Sequence, residues 1–147
     1  ITIDGCSAPT PFMSLIEMAK LFQLLGKNSY SELKTVYRAM NEHPYLVAGK
    51  NRFDTEFITA LKGRGITKVG GEAIRGTVIK TKQYGLIGIA QKVLDGNQRA
   101  NDPSIMRICC HLNLLTKEEK KNLNRYITKK LFNHSAIHIG NIEATLI

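Results

Sequence analysis

Apolar residues recur at helical spacing along the first part of the chain and gather into short β-branched clusters after Ile66. Phe12, Met13, Leu15, Ile16, Met18, Leu21, Phe22, Leu24 and Leu25 cover most of a helical circumference, which predicts a helix over 11–25 buried on more than one side. Thr10 before Pro11 supplies an N-cap with proline at the first helical position, and Gly26 supplies a left-handed residue to close the helix. Ser29 and Glu32 have capping-box spacing, and Tyr30, Leu33, Val36, Tyr37 and Met40 then mark one apolar stripe as far as His43-Pro44. Asp54 is placed to cap a short third helix carrying Phe57, Ile58 and Leu61 and ended by the glycines at 63 and 65.

Three strands are predicted next, at 66–69, 73–79 and 86–93, the last two forming a hairpin through 80–84. Asp102-Pro103 restarts helix, with Ile105, Met106, Ile108, Cys109, Leu112 and Leu115 on one broad face. Thr116 and Glu119 form a further capping box, for a helix expected to reach about Phe132, and a last strand is expected at 136–142. Helices, then antiparallel strands, then helices and one strand, without βαβ alternation, imply an α+β fold: an antiparallel sheet with flanking helices.

The 147 residues suit one domain, and 43% hydrophobic with 22% charged residues is an ordinary globular composition. No apolar run approaches the roughly 18 residues that a membrane span requires, and the N-terminus lacks a signal-peptide pattern. Of three cysteines, Cys109 and Cys110 are adjacent, which suits free thiols in a reducing compartment and leads to a cytoplasmic expectation. The net charge of +9 would attract nucleic acid without specificity. Its densest group, Lys117, Lys120, Lys121, Arg125, Lys129 and Lys130, is broken by Glu118 and Glu119 and reads as a solvated helix face, so a nucleic-acid partner is not expected.

In Asp4-Gly5-Cys6 an extended backbone puts carboxylate and thiol on one side, a pair suited to zinc. Zinc needs three or four protein ligands, and His43, His111, His134 and His138 offer no spacing that completes the set, so the residues alone favour a buried structural cysteine beside a turn aspartate over a metal site. Ser31-Glu32-Leu33-Lys34 fits a bare Ser-x-x-Lys pattern, but it falls in the first turns of a predicted helix and is rejected as a nucleophile.

The string Asp4 to Pro9, followed by a helix, resembles a hallmark of the rhizobial-type L-asparaginases, a family akin to serine β-lactamases and glutaminases. His43-Pro44, Arg52-Phe53-Asp54-Thr55, Lys68-Val69-Gly70-Gly71-Glu72, Gly88-Ile89-Ala90, Lys92-Val93 with Asp95-Gly96, and Arg99-Ala100 follow in that family's order. The resemblance implies part of a serine β-lactamase-like fold, hydrolysis of L-asparagine to L-aspartate and ammonia, and a homodimer. It also implies that 1–147 is the C-terminal portion of one domain whose N-terminal half carries the Ser-x-x-Lys nucleophile, so that the chain alone would be inactive; Ile1 in place of Met agrees with that expectation. Lys68 is then the catalytic lysine, Gly70, Gly71 and Arg52 bind substrate, and Asp4 and Cys6 are half of a zinc site completed from the absent half. Arg52 and Asp54 read equally well as helix capping with a local ion pair. A non-enzymatic remnant or a basic nucleic-acid-binding module is the competing reading.

Overall fold

In the computed structural model, which describes residues 1–146, the chain opens with a small antiparallel pair, β1 (Thr2–Ile3) and β2 (Pro9–Thr10). Asp4 closes the turn between them, its Oδ1 accepting from Cys6 N at 2.8 Å and Ala8 N at 3.1 Å. Thr10 therefore lies in a strand and does not cap the first helix. That helix, α1 (Leu15–Lys27), starts at Ser14, whose Oγ accepts from Glu17 N while the Glu17 carboxylate accepts from Ser14 N. A reciprocal box satisfies two orphan donors where a lone threonine would satisfy one. At its other end Asn28, and not Gly26, takes the left-handed conformation, at φ 56°.

α2 (Ser31–Glu42) follows with Tyr30 at its N-cap, and the expected Ser29–Glu32 box is not made. A short α3 (Pro44–Ala48), begun by its proline, was not foreseen. In α4 (Phe53–Leu61) Arg52 occupies the cap position, and Asp54 turns inward instead of capping. The sheet β3 (Gly65–Gly70), β4 (Ile74–Thr81), β5 (Gly85–Lys92) is antiparallel in that order, close to the expected boundaries. α5 (Asn101–His111) and α6 (Lys117–Asn122) come next, α6 with the expected Thr116–Glu119 box. The helix expected to reach Phe132 stops at Asn122. After a 3-10 turn at Asn124–Tyr126, β6 (Thr128–Phe132) pairs antiparallel with β7 (His138–Glu143). β-branched Ile127 and Thr128 weaken helix continuation, and the β7 ladder supplies backbone partners instead. The mixed helices and antiparallel strands bear out the α+β expectation.

The core lies between α4, the sheet and α5–α6: Phe53, Phe57, Leu61, Ile79, Ile105, Met106, Cys109 and Leu123 pack in one cluster. On the other side of α4, Ile58, Ile66 and Val78 meet Phe22 and Leu25 of α1 and Tyr37 and Met40 of α2. No α1 residue is fully buried, and Leu15, Ile16 and Leu21 are exposed, so burial on several sides is not realised among the described residues. One face of α1 rests on β4 and β5, and two glycines let it come close. A Cβ at Gly88 would fall 2.0 Å from the Ala19 carbonyl oxygen, and one at Gly76 would fall 1.9 Å from the Phe22 ring.

Gly88→Ala is expected to lower the urea midpoint by the equivalent of about 1–3 kcal/mol with little change in slope, because the obstacle is helix backbone and no side chain can rotate away. An unchanged midpoint would mean that α1 does not sit on the sheet in this way.

No described helix is long and apolar enough to cross a membrane. All three cysteines are unpaired; burial pushes the Cys109 thiol up to about 12, so that sulfur packs as an inert apolar group.

Candidate functional site

Alternation along β3 sends Thr67 into the core and Lys68 outward. Lys68 Nζ donates to the Val69 carbonyl at 2.7 Å and borders two openings. One is an apolar groove of about 500 Å³ walled by Phe22, Met40, His43 and Val47. The other is a polar cleft of about 510 Å³, into which the fold gathers charged and polar groups from four places. Arg52 and Asp54 come from the start of α4, Arg75 from β4, Gln98 and Asp102 from the approach to α5 and its first turn, and Lys129 from β6.

The cleft is built over Arg75, which is 2% exposed and has every donor group engaged. Its Nη1 is ion-paired with Asp54 Oδ1 and donates to Thr67 Oγ1 at 3.0 Å. Nη2 donates to Asp102 Oδ1 at 2.7 Å, and Nε to Asn101 Oδ1 at 2.5 Å. The guanidinium also lies over the Phe53 ring, 4.5 Å from its centroid. Asp54 spends its second oxygen on the backbone: Oδ2 accepts from Val69 N at 2.9 Å. Through that bond α4 grips β3 at the residue after Lys68. Burial pushes the Asp102 carboxyl above the ordinary carboxylate range, against the pull of Arg75.

Of the residues expected to act, Lys68 and Arg52 meet in this cleft. Gly70 stands nearby, its carbonyl accepting from Gln98 Nε2 at 3.4 Å. Gly71 follows β3 and is exposed, with nothing within 4 Å of a Cβ placed there. The local Arg52–Asp54 pair does not form: Asp54 pairs with Arg75, 21 positions along the chain. Ser31 is exposed on the first turn of α2 and does not line the cleft.

Asp4 and Cys6 lie in the β1–β2 turn and do not line it either. The Ala8 and Cys6 amides hold the Asp4 carboxyl below its ordinary range. Among the described residues no group of three or more His, Cys, Asp or Glu gathers to hold a metal. Two donors fall short of the three or four that zinc requires, so no chemical step is assigned to a metal here.

Sequence reasoning passed over Arg75, Asp102 and Lys129. Arg75 stands between Ile74 and Gly76 in a strand with no partner nearby in sequence; the one available signal was an arginine inside a run otherwise fit for burial. Lys129 was assigned to a solvated helix face and belongs instead to β6, at the cleft.

The cleft has four cations against two carboxylates, and both carboxylates are committed to Arg75. It favours an anionic ligand. Among the described residues no serine, threonine or cysteine lines it, so a nucleophile for covalent chemistry would have to enter from elsewhere. The model of the L-asparaginase II family matches residues 1–144. No curated protein matches the chain significantly.

Proposed function

The chain belongs to the L-asparaginase II family, and on that premise we propose that it forms the lysine-bearing part of an amidohydrolase that converts L-asparagine and water to L-aspartate and ammonia. The observation that carries this reading is Lys68 at the head of Lys68-Val69-Gly70-Gly71, on a strand held by Asp54 and facing a cleft rich in unpaired cations. A serine attacks an amide only once its proton is taken, and an amine placed like that of Lys68 can take it, then return it to the departing ammonia. Arg52 faces the same cleft and attracts the substrate carboxylate, and Gly70 and Gly71 leave room beside the strand for the substrate to approach. The serine itself belongs, on this reading, to a Ser-x-x-Lys segment outside these residues, within a serine β-lactamase-like whole. Asp4 and Cys6 would contribute two donors to a zinc site whose remaining ligands also lie outside.

Ammonia release from L-asparagine tests the division of labour. These 147 residues alone are expected to release none, and a polypeptide that also carries the Ser-x-x-Lys segment is expected to turn over. Measurable turnover by the 147 residues alone would overturn the placement of the nucleophile and bring Ser31 or Ser7 back into consideration.

A further inference from the structure

Two residues of the cleft have no part in the chemistry above and stand where an amino acid could be recognised. Lys129 and Asp102 line the 510 Å³ cleft and also an adjoining cavity of about 280 Å³, so together they stand on the wall between the two. We infer that Lys129 and Asp102 form the subsite that holds the main-chain end of a free amino-acid substrate, Lys129 taking its α-carboxylate together with Arg52, and Asp102 its α-ammonium. This rests on the amidohydrolase reading and deepens it.

Among the described residues Arg52, Lys68 and Lys129 make no ion pair, whereas Arg75 is consumed by Asp54 and Asp102. Lys68 is engaged in proton transfer, which leaves Arg52 and Lys129 as cations for a carboxylate. Asp102 gives Oδ1 to Arg75 at 2.7 Å, while its Oδ2 receives no protein donor among the described residues and its side chain is 31% exposed. A cleft-lining carboxylate with one oxygen anchored and the other without a protein donor is a fixed acceptor for an ammonium. Lys129 and Arg52 are both near enough to favour the charged form of Asp102, in the same direction as Arg75 and against its burial and Asp54. One wall thus offers both signs of charge at once, which matches a zwitterion better than it matches a simple anion. An asparagine within a peptide has neither free terminus and would gain nothing there.

The test uses the intact polypeptide and three amides: L-asparagine, 3-aminopropanamide, which lacks the α-carboxylate, and succinamate, which lacks the α-ammonium. Lys129 is exposed, so Lys129→Met is expected to keep the fold. That variant should lose about 10- to 100-fold of the wild-type preference, in kcat/KM, for L-asparagine over 3-aminopropanamide. Asp102→Asn, which keeps an acceptor for Arg75, should lose a comparable part of the preference over succinamate. Preferences unchanged in Lys129→Met would overturn the subsite. Calorimetric binding of L-aspartate separates this failure from failure of the amidohydrolase reading. If wild type hydrolyses none of the amides, yet binds L-aspartate at least 10-fold more tightly than Lys129→Met, the subsite stands and the amidase reading falls. Equal binding, or none to wild type, overturns the subsite.

Discussion

Lys68→Met in the intact polypeptide is expected to lower kcat for L-asparagine by about 10²- to 10⁴-fold, the usual worth of a positioned acid–base group. Stability should stay within about 0.5 kcal/mol of wild type, because the side chain is exposed and its hydrogen bond is to the next residue in the chain. Lys68→Arg should not restore turnover: a guanidinium keeps its proton and cannot accept one from a serine. Steady-state ammonia release together with a thermal melt reads both quantities. A kcat within a few-fold of wild type would reduce Lys68 to a surface lysine beside an edge-strand glycine pair, and the amidase would have to draw its base from elsewhere.

The second large effect belongs to folding. Arg75→Met should destabilise the protein by about 3–5 kcal/mol, since it leaves Asp54 buried with no counter-charge. The double variant Arg75→Met, Asp54→Leu should cost less than Arg75→Met alone, because no orphaned charge remains in it. The pH dependence has a definite sign. Burial already raises the Asp102 carboxyl against the pull of Arg75, so in Arg75→Met its folded-state affinity for protons rises further above that of the unfolded chain. Protonation then favours folding, and the deficit shrinks as pH falls and grows as pH rises through the folded value of Asp102. Denaturant titrations at neutral and mildly acid pH check both statements. A loss below about 1 kcal/mol at neutral pH would mean that the buried network does not carry the packing of α4 against β3 and β4.

Lys68 and Arg75 belong to one arrangement. Arg75 holds Asp54, Asp54 holds the Val69 amide, and that bond fixes the strand from which Lys68 projects. A partly disabled network should therefore reach catalysis through the position of Lys68, even though Arg75 itself is buried and spent on Asp54 and Asp102.

Much of the architecture was readable in the order of residues because it depends on short-range patterns. The β3–β4–β5 meander follows from β-branched clusters cut by turns, and the α6 start follows from Thr116 and Glu119, whose reciprocal bonds span three positions. The same logic failed where two local solutions competed. Thr10-Pro11 and Ser14–Glu17 both spell a helix start, and the choice was decided by β1–β2 pairing, which takes Thr10 into a strand. Beyond Asn122 the lysine-rich segment has fair helical propensity, yet β7 offered it a ladder.

Family membership and the importance of Lys68, Gly70 and Arg52 could be proposed from the chain alone, since a motif is carried by neighbours in sequence and the family match runs over 1–144. The cleft could not. Arg75 and Asp54 are 21 positions apart, and Lys129 reaches the same space from the far end of the chain; such convergence costs chain entropy that only the packed core repays. The sequence by itself determined the β3–β4–β5 meander, the start of α6 and which lysine heads the glycine pair. Tertiary structure alone decided which charges are spent on one another and which remain to meet a ligand, because a buried ion pair forms between groups that folding brings together, whatever their separation along the chain.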